Sequence, residues 1–412
     1  MDSGLKLWGI MSSSAIVLSS ECPTLVKFAA RLARVVFGNR IQVCDGVADE
    51  GEINTAIDSL PDRGGKVHLT DGNFFITSPI HLYRDIVAWF NLWLDGSGID
   101  TTRIFLSDNS DCNMIDNVVL ANDSGWKRVS NMKLEGNGDD QASGHGIYCA
   151  ETGIGNQYDM TFHNIYVSQT KEDGFNITDG WGIRINDCLA ETCLGRGYYL
   201  SGNQCYFRSN FSAYNGGNGF ELAGSEIRVS DCFSYSDAMH GFYVTATSIQ
   251  LDTCEVYNWG SDTVSTYEAI HADSAGCTVS SCIVIGSNNT STHMGIRITN
   301  RSIVTGCTVR DIDPAGECIY LKGDDLICNG NYIEDGAIGI KVDNCDDAVI
   351  SNNRITSTTP IDTNLGTCVR PMIIGNNWEG STNDMNIGIA VNPRITSNLD
   401  LNGAWFAGDN PG

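Results

Sequence analysis

A series of polar and aromatic residues recurs at one position of a repeated Gly-φ-x-φ motif, in which φ is an apolar residue. Position x predicts an outward-facing side chain, because successive side chains of a strand point to opposite faces of a sheet. If the strands stack in register, these side chains form an outward column with neighbours about 5 Å apart. In chain order the outward column contains Tyr148, Asn176, Tyr199, Glu221, Tyr243, His271, Arg297, Tyr320 and Lys341.

The middle of the outward column carries side chains suited to proton transfer on a sugar. His271 is a candidate general base near neutral pH, and Tyr243 precedes it in the column. Arg297 could neutralise the carboxylate of an acidic sugar. A polysaccharide lyase needs this combination of a base with charge neutralisation, and Arg297, Lys341 or Tyr243 is the alternative base. Ca²⁺ is a candidate cofactor for the neutralisation.

A glycoside hydrolase would need two carboxyl groups at a separation that fixes its stereochemical course. Glu221 could act as acid, base or metal ligand, and Asp237 lies in a neighbouring loop. These two carboxyl groups are the pair that we would test for hydrolysis.

Aromatic and basic residues around the same column are candidates for substrate binding. Tyrosine and tryptophan offer flat apolar surfaces for sugar rings, and an ammonium group attracts carboxylates. The loop after Cys254 is long and aromatic and leads to His271, which centres the predicted site on the coils from Glu221 to Arg297. The predicted substrate-binding residues are Tyr199, Trp259, Tyr320 and Lys341.

The elements that position these residues follow from an internal repeat. A second register, in phase with the first, recurs in steps of 22 to 28 residues. Two short strand registers that share one period of about 23 residues predict a right-handed parallel β-helix of ten or more coils, because a helical crossover would need more residues than the period supplies. This register comprises Asn164, Cys188, Asn210, Cys232, Cys254, Cys282, Cys307, Asn331, Asn353 and Asn377.

The alternation of Asn and Cys in this register predicts an inward position at a bend between two strands. A buried Asn there can bond to the equivalent Asn or to turn backbone on the neighbouring coil. A Cys fills the same small site as a weakly polar group. Because stacked side chains would point the same way, we expect free thiols rather than disulfides among the sixteen cysteines.

Several segments resemble the pectate-lyase-like superfamily of right-handed parallel β-helices. Residues 45–46 (Asp-Gly), 64–69 (Gly-Gly-Lys-Val-His-Leu) and 96–98 (Gly-Ser-Gly) are similar to its amino-terminal coil, and residues 329–333 and 351–355 look like its later coils. The resemblance implies the fold over about residues 41–392, and the family contains lyases, hydrolases, epimerases, phage tailspikes and adhesins. Residues 144–146 look like the Gly-His-Gly motif of polygalacturonases, but the accompanying motifs are missing.

The predicted organisation has three parts. Residues 1–40 form an amino-terminal segment with a short basic amphipathic helix between Thr24 and Phe37, docked on the end of the β-helix. Residues 41–392 form the β-helix, with a capping helix predicted between Glu50 and Leu60 because apolar residues recur there at helical spacing. Residues 393–412 form a carboxy-terminal tail or cap.

Composition excludes several functional classes. The chain has 412 residues and a formal net charge of −25, which argues against nucleic-acid binding because phosphate contacts require Lys and Arg. No apolar run is long enough for a membrane span, and residues 7–18 make a poor secretory signal. The aspartate pairs at 324–325 and 346–347 are weak candidates for Ca²⁺.

Two hypotheses remain. The first is a carbohydrate-active enzyme, extracellular or on a cell or virion surface, that cleaves an acidic polysaccharide by β-elimination or hydrolysis. The second is a non-catalytic structural or adhesive β-solenoid, such as a virion fibre, that assembles as a trimer or filament. A groove with a bound cation or sugar would favour the enzyme, whereas a threefold or filamentous assembly would favour the scaffold, since one fold can serve both.

Overall fold

The computed structural model describes residues 14–83, 90–119, 124–151, 157–260, 266–286, 293–312, 314–365, 368–378, 381–383, 385–387, 390–396, 398–399 and 405–406. Most of residues 7–18, which resemble a secretory signal only poorly, lie outside the described residues. The chain divides into two compact units, Met1–Phe211 and Ser212–Gly412, hereafter the amino-terminal and carboxy-terminal units.

In the amino-terminal unit, one parallel sheet carries the outward column. Its strands pair in order and in register, and we call them the site sheet of this unit. They are Ile80–His81, Ile115–Val119, Ile147–Glu151, Phe175–Trp181 and Tyr198–Asn203.

The other strands of this unit form the remaining sides of the coils, except that Gln157–Tyr158 extends the site sheet by pairing with Phe175–Trp181 and with Ser124–Gly125. Ser14–Leu18 pairs in parallel with Gly64–Leu69, so parallel pairing begins upstream of Ile41. The remaining strands are Ile41–Val43, Gly72–Ile76, Asn91–Asp95, Thr102–Leu106, Ser124–Gly125, Lys127–Glu135, Gln157–Tyr158, Thr161–Ser168, Arg184–Asn186, Leu189–Glu191 and Tyr206–Arg208, with 3-10 turns at Gly38–Arg40 and Gly138–Asp140. The division between the units falls within the strand Phe211–Ala213.

Both predicted helices are present. The helix Glu50–Asp58 buries Ile53, Ala56 and Ile57, which confirms the amphipathic cap. The helix Thr24–Phe37 packs through Ala30 against Leu18 and Ile41. The opposite face of this second helix exposes Leu25, Phe28, Leu32 and Val35. Within the described residues, no helix is both long and apolar enough to cross a membrane.

The carboxy-terminal unit has a site sheet of its own. Its strands are parallel, and their inward side chains are fully buried and, apart from Thr363, apolar. They are Phe220–Ser225, Phe242–Val244, Glu268–Ala272, Met294–Thr299, Glu317–Lys322, Ile338–Asp343 and Thr359–Leu365.

Two further rows of short strands flank each bend in this unit. The row before the bend contains Arg228–Ser230, Gln250–Asp252, Thr278–Ser280, Ile303–Thr305, Ile327–Asn329, Val349–Ser351, Met372–Ile374 and Arg394–Thr396. The row after the bend contains Phe233–Tyr235, Glu255–Tyr257, Ile283–Ile285, Thr308–Ile312, Tyr332–Asp335 and Arg354–Thr356. Cys368–Val369 pairs with Ala390–Val391, and Asn398–Leu399 forms an antiparallel pair with Trp405–Phe406.

The bends explain the Asn/Cys register. The residue before the register position adopts a left-handed conformation, as at Asp231, Gly330 and Asn352, which suits Gly, Asn and Asp. The next side chain turns inward, and Asn353 accepts the backbone amide of Asn331 at 2.9 Å while donating to the carbonyl of Cys328 at 3.0 Å. The buried amides are therefore satisfied as predicted.

Cysteine uses the same acceptor position as asparagine. The thiol of Cys254 lies 3.8 Å from the carbonyl of Val229 on the preceding coil and 3.4 Å from that of Asp252. All sixteen cysteines are free, which agrees with the prediction of thiols stacked in the core.

The predicted register is wrong by one residue at both ends. Ile165, not Asn164, aligns with Cys188, because Tyr166 pairs with Leu189. Asn164 occupies the left-handed position and donates to Asn131. At the other end, Asn376 and not Asn377 continues the ladder, since its side chain accepts the backbone amide of Asn353 at 3.0 Å.

Candidate functional site

The site sheet of the carboxy-terminal unit places the predicted column in register. Glu221 pairs with Tyr243, Tyr243 with His271, and His271 with Arg297. The series continues through Tyr320 and Lys341 to Asp362, an acid that the sequence motif did not reveal. The ring centroids of Tyr243 and His271 lie 5.1 Å apart, as expected for neighbouring coils.

Glu268 lies at the centre of this face. Its Oε2 atom is 3.0 Å from Nδ1 of His271 and 3.2 Å from Nδ1 of His240, and its Oε1 atom is 3.3 Å from Nη1 of Arg297. Glu268 was not among the predicted site residues, and it is the first residue of the strand Glu268–Ala272. Its spacing of three residues from His271 was the signal that could have linked the two side chains.

Burial and charge act in opposite directions on this cluster. Burial raises the pKa of Glu268, but the hydrogen bond from His271 and the charges of His240, His271 and Arg297 outweigh it, so the pKa lies below its ordinary value. Burial lowers the pKa of His240 to about 4. At neutral pH the carboxyl group is therefore ionised and the His240 ring is neutral.

Two buried nitrogen atoms on adjacent strands have no hydrogen-bond partner within the described part of the chain. They are Nε2 of His271 and Nε of Arg297. Because Nδ1 of His271 faces the Glu268 carboxylate, the hydrogen bond assigns the ring proton to Nδ1 and the lone pair to Nε2. The rings of Tyr243 and His240 pack on His271, each with its centroid 5.1 Å away.

A second group of contacts continues the column. Arg297 and Lys341 approach the Tyr320 ring from neighbouring coils, at 5.4 and 5.2 Å from its centroid. Lys341 also pairs with Glu317 at 2.6 Å, and the Tyr320 hydroxyl donates to Asp343 at 2.6 Å. Tyr320 therefore presents a ring held between two cations, although Lys341 and the Tyr320 hydroxyl already have partners within the protein.

The structure does not place Asp237 where the hydrolase hypothesis needs it. Glu221 lies on the outward face and accepts a hydrogen bond from Asn218 at 2.8 Å. Asp237 is fully buried, and its carboxylate accepts hydrogen bonds from Asn215 and Ser234. Burial raises its pKa to about 6. Because this carboxylate is enclosed by its own loops, it cannot face Glu221 across a sugar.

Trp259 was predicted to bind substrate, but the structure places it in the interior. Its side chain is 2% exposed and its indole N–H donates to the carbonyl of Tyr267 at 3.1 Å. The ring lies near His293, with centroids 6.4 Å apart. Trp259 therefore supports the loop beside His271 from within, and no face of it is open to a sugar ring.

The remaining predicted residue, Tyr199, belongs to the site sheet of the amino-terminal unit. There Tyr148 pairs with Asn176, and Asn176 pairs with Tyr199. Upstream, the column continues through Asp116 to His81, which are bonded side chain to side chain at 2.6 Å and were not predicted.

The cluster around Glu268 also has the composition of a transition-metal site. One nitrogen or oxygen atom from each of His240, Glu268 and His271 lies within 4.8 Å of the others. Two imidazoles and a carboxylate suit Zn²⁺, whereas Ca²⁺ prefers oxygen ligands alone.

The aspartate pairs considered for Ca²⁺ have protein partners. Asp347 forms two hydrogen bonds with Arg370, at 2.8 and 2.6 Å, and Asp324 accepts the backbone amide of Asp346 at 3.1 Å.

Comparisons with known proteins identify the fold. A family model described as a right handed beta helix region matches residues 240–382. Tailspike protein 3 of bacteriophage CBA120 is similar over 88% of this chain and 61% of that chain, with 10% identity and a TM-score of 0.64. The pre-mature gene product 12 of bacteriophage phi29 is similar over 93% and 60%, with 14% identity and a TM-score of 0.59.

An enzyme is also among the similar structures. The catalytic unit of a GH87 α-1,3-glucanase from Streptomyces thermodiastaticus strain HF3-3 is similar over 87% of this chain and 67% of that chain, with 13% identity and a TM-score of 0.53. No curated protein sequence matches the chain. At these identities the likeness shows the fold alone, and the chain has the right-handed parallel β-helix fold of the pectate-lyase-like class.

Proposed function

We propose that the chain is a carbohydrate-active protein that cleaves an acidic polysaccharide on the site sheet of its carboxy-terminal unit, by β-elimination. The observation that carries the proposal is the unpaired Nε2 of His271 beside the unpaired Nε of Arg297, with Glu268 bonded to both side chains. A base and an anion-binding group on adjacent strands are what β-elimination on a uronate requires.

The roles of the side chains follow from their contacts. Glu268 holds the proton of His271 on Nδ1, so that Nε2 can accept the proton α to the uronate carboxylate. Arg297 neutralises that carboxylate and stabilises the charge that develops on it. The electron pair from the broken C–H bond forms the ring double bond and expels the glycosidic oxygen. Tyr243, on the strand next to His271, donates the proton that this oxygen takes up.

Before this step, substrate binding requires a small rearrangement of the side chains around His271. Nε2 of His271 is covered by its neighbours, so a sugar reaches it only when a packed ring such as that of Tyr243 turns aside. Tyr320, with Lys341 on the next strand, would bind the adjoining sugar. The predicted hydrolase loses support because Asp237 is enclosed.

The test uses a panel of acidic and neutral polysaccharides, with and without Ca²⁺ or Zn²⁺. Ultraviolet absorbance reports unsaturated uronate, and reducing ends report any cleavage. We expect absorbance with an acidic polymer and a loss of about 10²–10⁴-fold in His271→Asn and Arg297→Lys. His163→Asn is the matched control, because His163 pairs with Asp187 on a different sheet. Reducing ends without absorbance would overturn elimination in favour of hydrolysis.

One observation favours the non-catalytic alternative. Several polar groups of the column are paired within the protein, including Lys341 with Glu317 and Tyr320 with Asp343, as in a ladder that only stabilises the sheet. For either function we propose an extracellular or virion location and a homo-oligomeric state, and the fold shared with a phage tailspike protein supports this proposal. A folded protein that is inactive on the whole panel would support a structural or adhesive solenoid.

A further inference from the structure

The amino-terminal unit repeats the arrangement that surrounds Glu268. In the carboxy-terminal unit, His240 stacks on Tyr243, three residues later, with centroids 5.1 Å apart and planes at 21°. In the amino-terminal unit, His145 stacks on Tyr148, also three residues later, with centroids 5.2 Å apart and planes at 8°. Each tyrosine lies in the outward column of its own site sheet.

The backbone contacts of the two histidines are also equivalent. The backbone amide of His145 donates to the side chain of Asn113 at 3.0 Å, and that of His240 donates to Asn218 at 3.1 Å. Nδ1 of His145 accepts the backbone amide of Asp173 at 3.0 Å, just as Nδ1 of His240 accepts that of Glu268 at 3.1 Å. The acid follows its histidine by 28 residues in both units.

Each acid is paired with an arginine. Asp173 accepts two hydrogen bonds from the Arg196 side chain, from Nε at 3.0 Å and from Nη2 at 2.8 Å. Glu268 is paired with Arg297 at 3.3 Å. The Arg196 guanidinium also lies 4.0 Å above the centroid of Tyr199, so the first unit combines a cation with an aromatic ring on its outward face.

The two arrangements differ at the residue three positions after the acid. His271 bonds to Glu268, whereas Asn176 donates to Asp173 at 2.7 Å. An amide does not accept a proton near neutral pH, so the position equivalent to His271 carries no base in the first unit. The other atom of the amide, Oδ1 of Asn176, has no hydrogen-bond partner within the described residues, and the side chain is 7% exposed.

A cleft of about 290 Å³ adjoins the loops that lead into this arrangement. Gln169 lines it four residues before Asp173, and Leu194 lines it two residues before Arg196. The remaining lining residues are Asn137, Gly138, Asp139 and Thr192.

We propose that the amino-terminal unit holds a second, non-catalytic binding site for an acidic sugar, built around Asn176, Tyr148 and Arg196. Oδ1 of Asn176 requires a donor, which a sugar hydroxyl supplies. Tyr148 and Tyr199 offer rings, and Arg196 attracts a carboxylate. The inference rests on the proposed function for the ligand class, and the missing base makes this site a place that binds the polymer without cleaving it.

The test measures binding stoichiometry by titration calorimetry in full-length His271→Asn protein, which cannot consume the ligand. The probes are hexasaccharides of galacturonate and of mannuronate, with a glucose hexamer for comparison. We expect two equivalents of one acidic hexamer. Asn176→Ala and the similarly sized Asn176→Leu, which both lack the acceptor oxygen, should each remove one equivalent, while Asn186→Ala, on another strand of the same unit, should leave two. Thermal melting confirms that each variant is folded.

The outcomes separate the inference from the proposed function. Binding of a single equivalent by the His271→Asn protein, unchanged when Asn176 is also substituted, together with cleavage by the unmodified protein, would overturn the second site and leave the lyase intact. Two equivalents in every Asn176 variant would overturn it as well. No binding and no cleavage of any acidic polymer would overturn the proposed function and the second site together.

Discussion

At the scale of single residues, Glu268 controls the protonation of the site. Its ionised carboxylate contacts ring nitrogens of His240 and His271 and the guanidinium of Arg297. Burial keeps His240 neutral, with a pKa of about 4, and its Nδ1 accepts the backbone amide of Glu268. Nδ1 of His271 is instead bonded to the carboxylate, and its buried Nε2 has no partner within the described residues. The difference between two histidines of one cluster therefore follows from their contacts rather than from their residue type.

Asp237 gives a prediction about stability and pH. Burial raises its pKa to about 6, so the folded state holds this proton more tightly than the unfolded state does. The contribution of the Asp237 carboxyl group to the free energy of unfolding is therefore lost as the pH rises from about 4 to about 6. We expect Asp237→Asn to stabilise the protein by about 1–3 kcal/mol at pH 7, with the gain vanishing near pH 4.

Urea unfolding at pH 4, 5, 6 and 7 measures this effect. Asp100→Asn is the control, because Asp100 is exposed and its substitution should change the midpoint little at any pH. A destabilised Asp237→Asn at pH 7 would contradict the argument. A stable Asp237→Asn that has lost activity would instead revive the hydrolase pair with Glu221.

At the scale of elements, the bends show what the sequence could and could not predict. The strands were predictable because apolar alternation and a period of about 23 residues leave few alternatives. The error at Asn164 arose because asparagine suits both the left-handed turn and the adjacent inward ladder position. The error at Asn377 arose because two consecutive asparagines, 376 and 377, follow the left-handed Gly375. Only the hydrogen-bond partners distinguish them.

The asparagine ladder predicts how much stability different substitutions of Asn353 cost relative to one another. Asn353 links three coils through Asn331, Asn376 and the carbonyl of Cys328. We expect Asn353→Ala to cost about 1–3 kcal/mol, because it leaves buried backbone groups unpaired. Asn353→Cys should cost less, since cysteine occupies this position on other coils.

Denaturant midpoints of the two variants measure this order. Asn91→Ala, at an exposed strand position, is the matched control. Equal losses in Asn353→Ala and Asn353→Cys would show that the thiol does not replace the amide.

The cysteines give a second element-scale prediction. Fourteen of the sixteen are buried, and only Cys22 and Cys112 are partly exposed. Burial raises the pKa of Cys112 to about 11, which slows its reaction further. We expect Ellman's reagent to label at most two thiols in the native protein and all sixteen in guanidinium. Fewer than sixteen under unreduced denaturing conditions would reveal disulfides.

At the scale of the whole molecule, fold and site differ in how far sequence determines them. The fold is repeated in every coil, so an error at one coil changes little. The predicted site depended on single side chains such as Trp259 and Asp237, which the sequence placed on loops and the structure places in the interior. Their orientation depends on hydrogen bonds to residues distant in sequence, and repeat patterns do not encode these.

The net charge of −25 yields the last prediction. A polyanionic substrate is repelled at long range but attracted locally by Arg297 and Lys341. Raising the ionic strength from about 0.01 to 0.1 M shortens the screening length from about 30 to 10 Å. This weakens the long-range repulsion more than the short-range attraction to Arg297 and Lys341. We therefore expect kcat/KM on an acidic polymer to rise several-fold over this range.

The methyl-esterified form of the same polymer is the matched control, because it keeps the sugar rings and removes the charge. Its kcat/KM should not change with salt and should be lower at 0.1 M, since Arg297 then has no carboxylate to bind. A steady fall with salt on the acidic polymer would mean that local basic groups dominate the encounter. Equal activity on both forms would show that Arg297 and Lys341 do not recognise the carboxylate, and the acidic substrate class would be wrong.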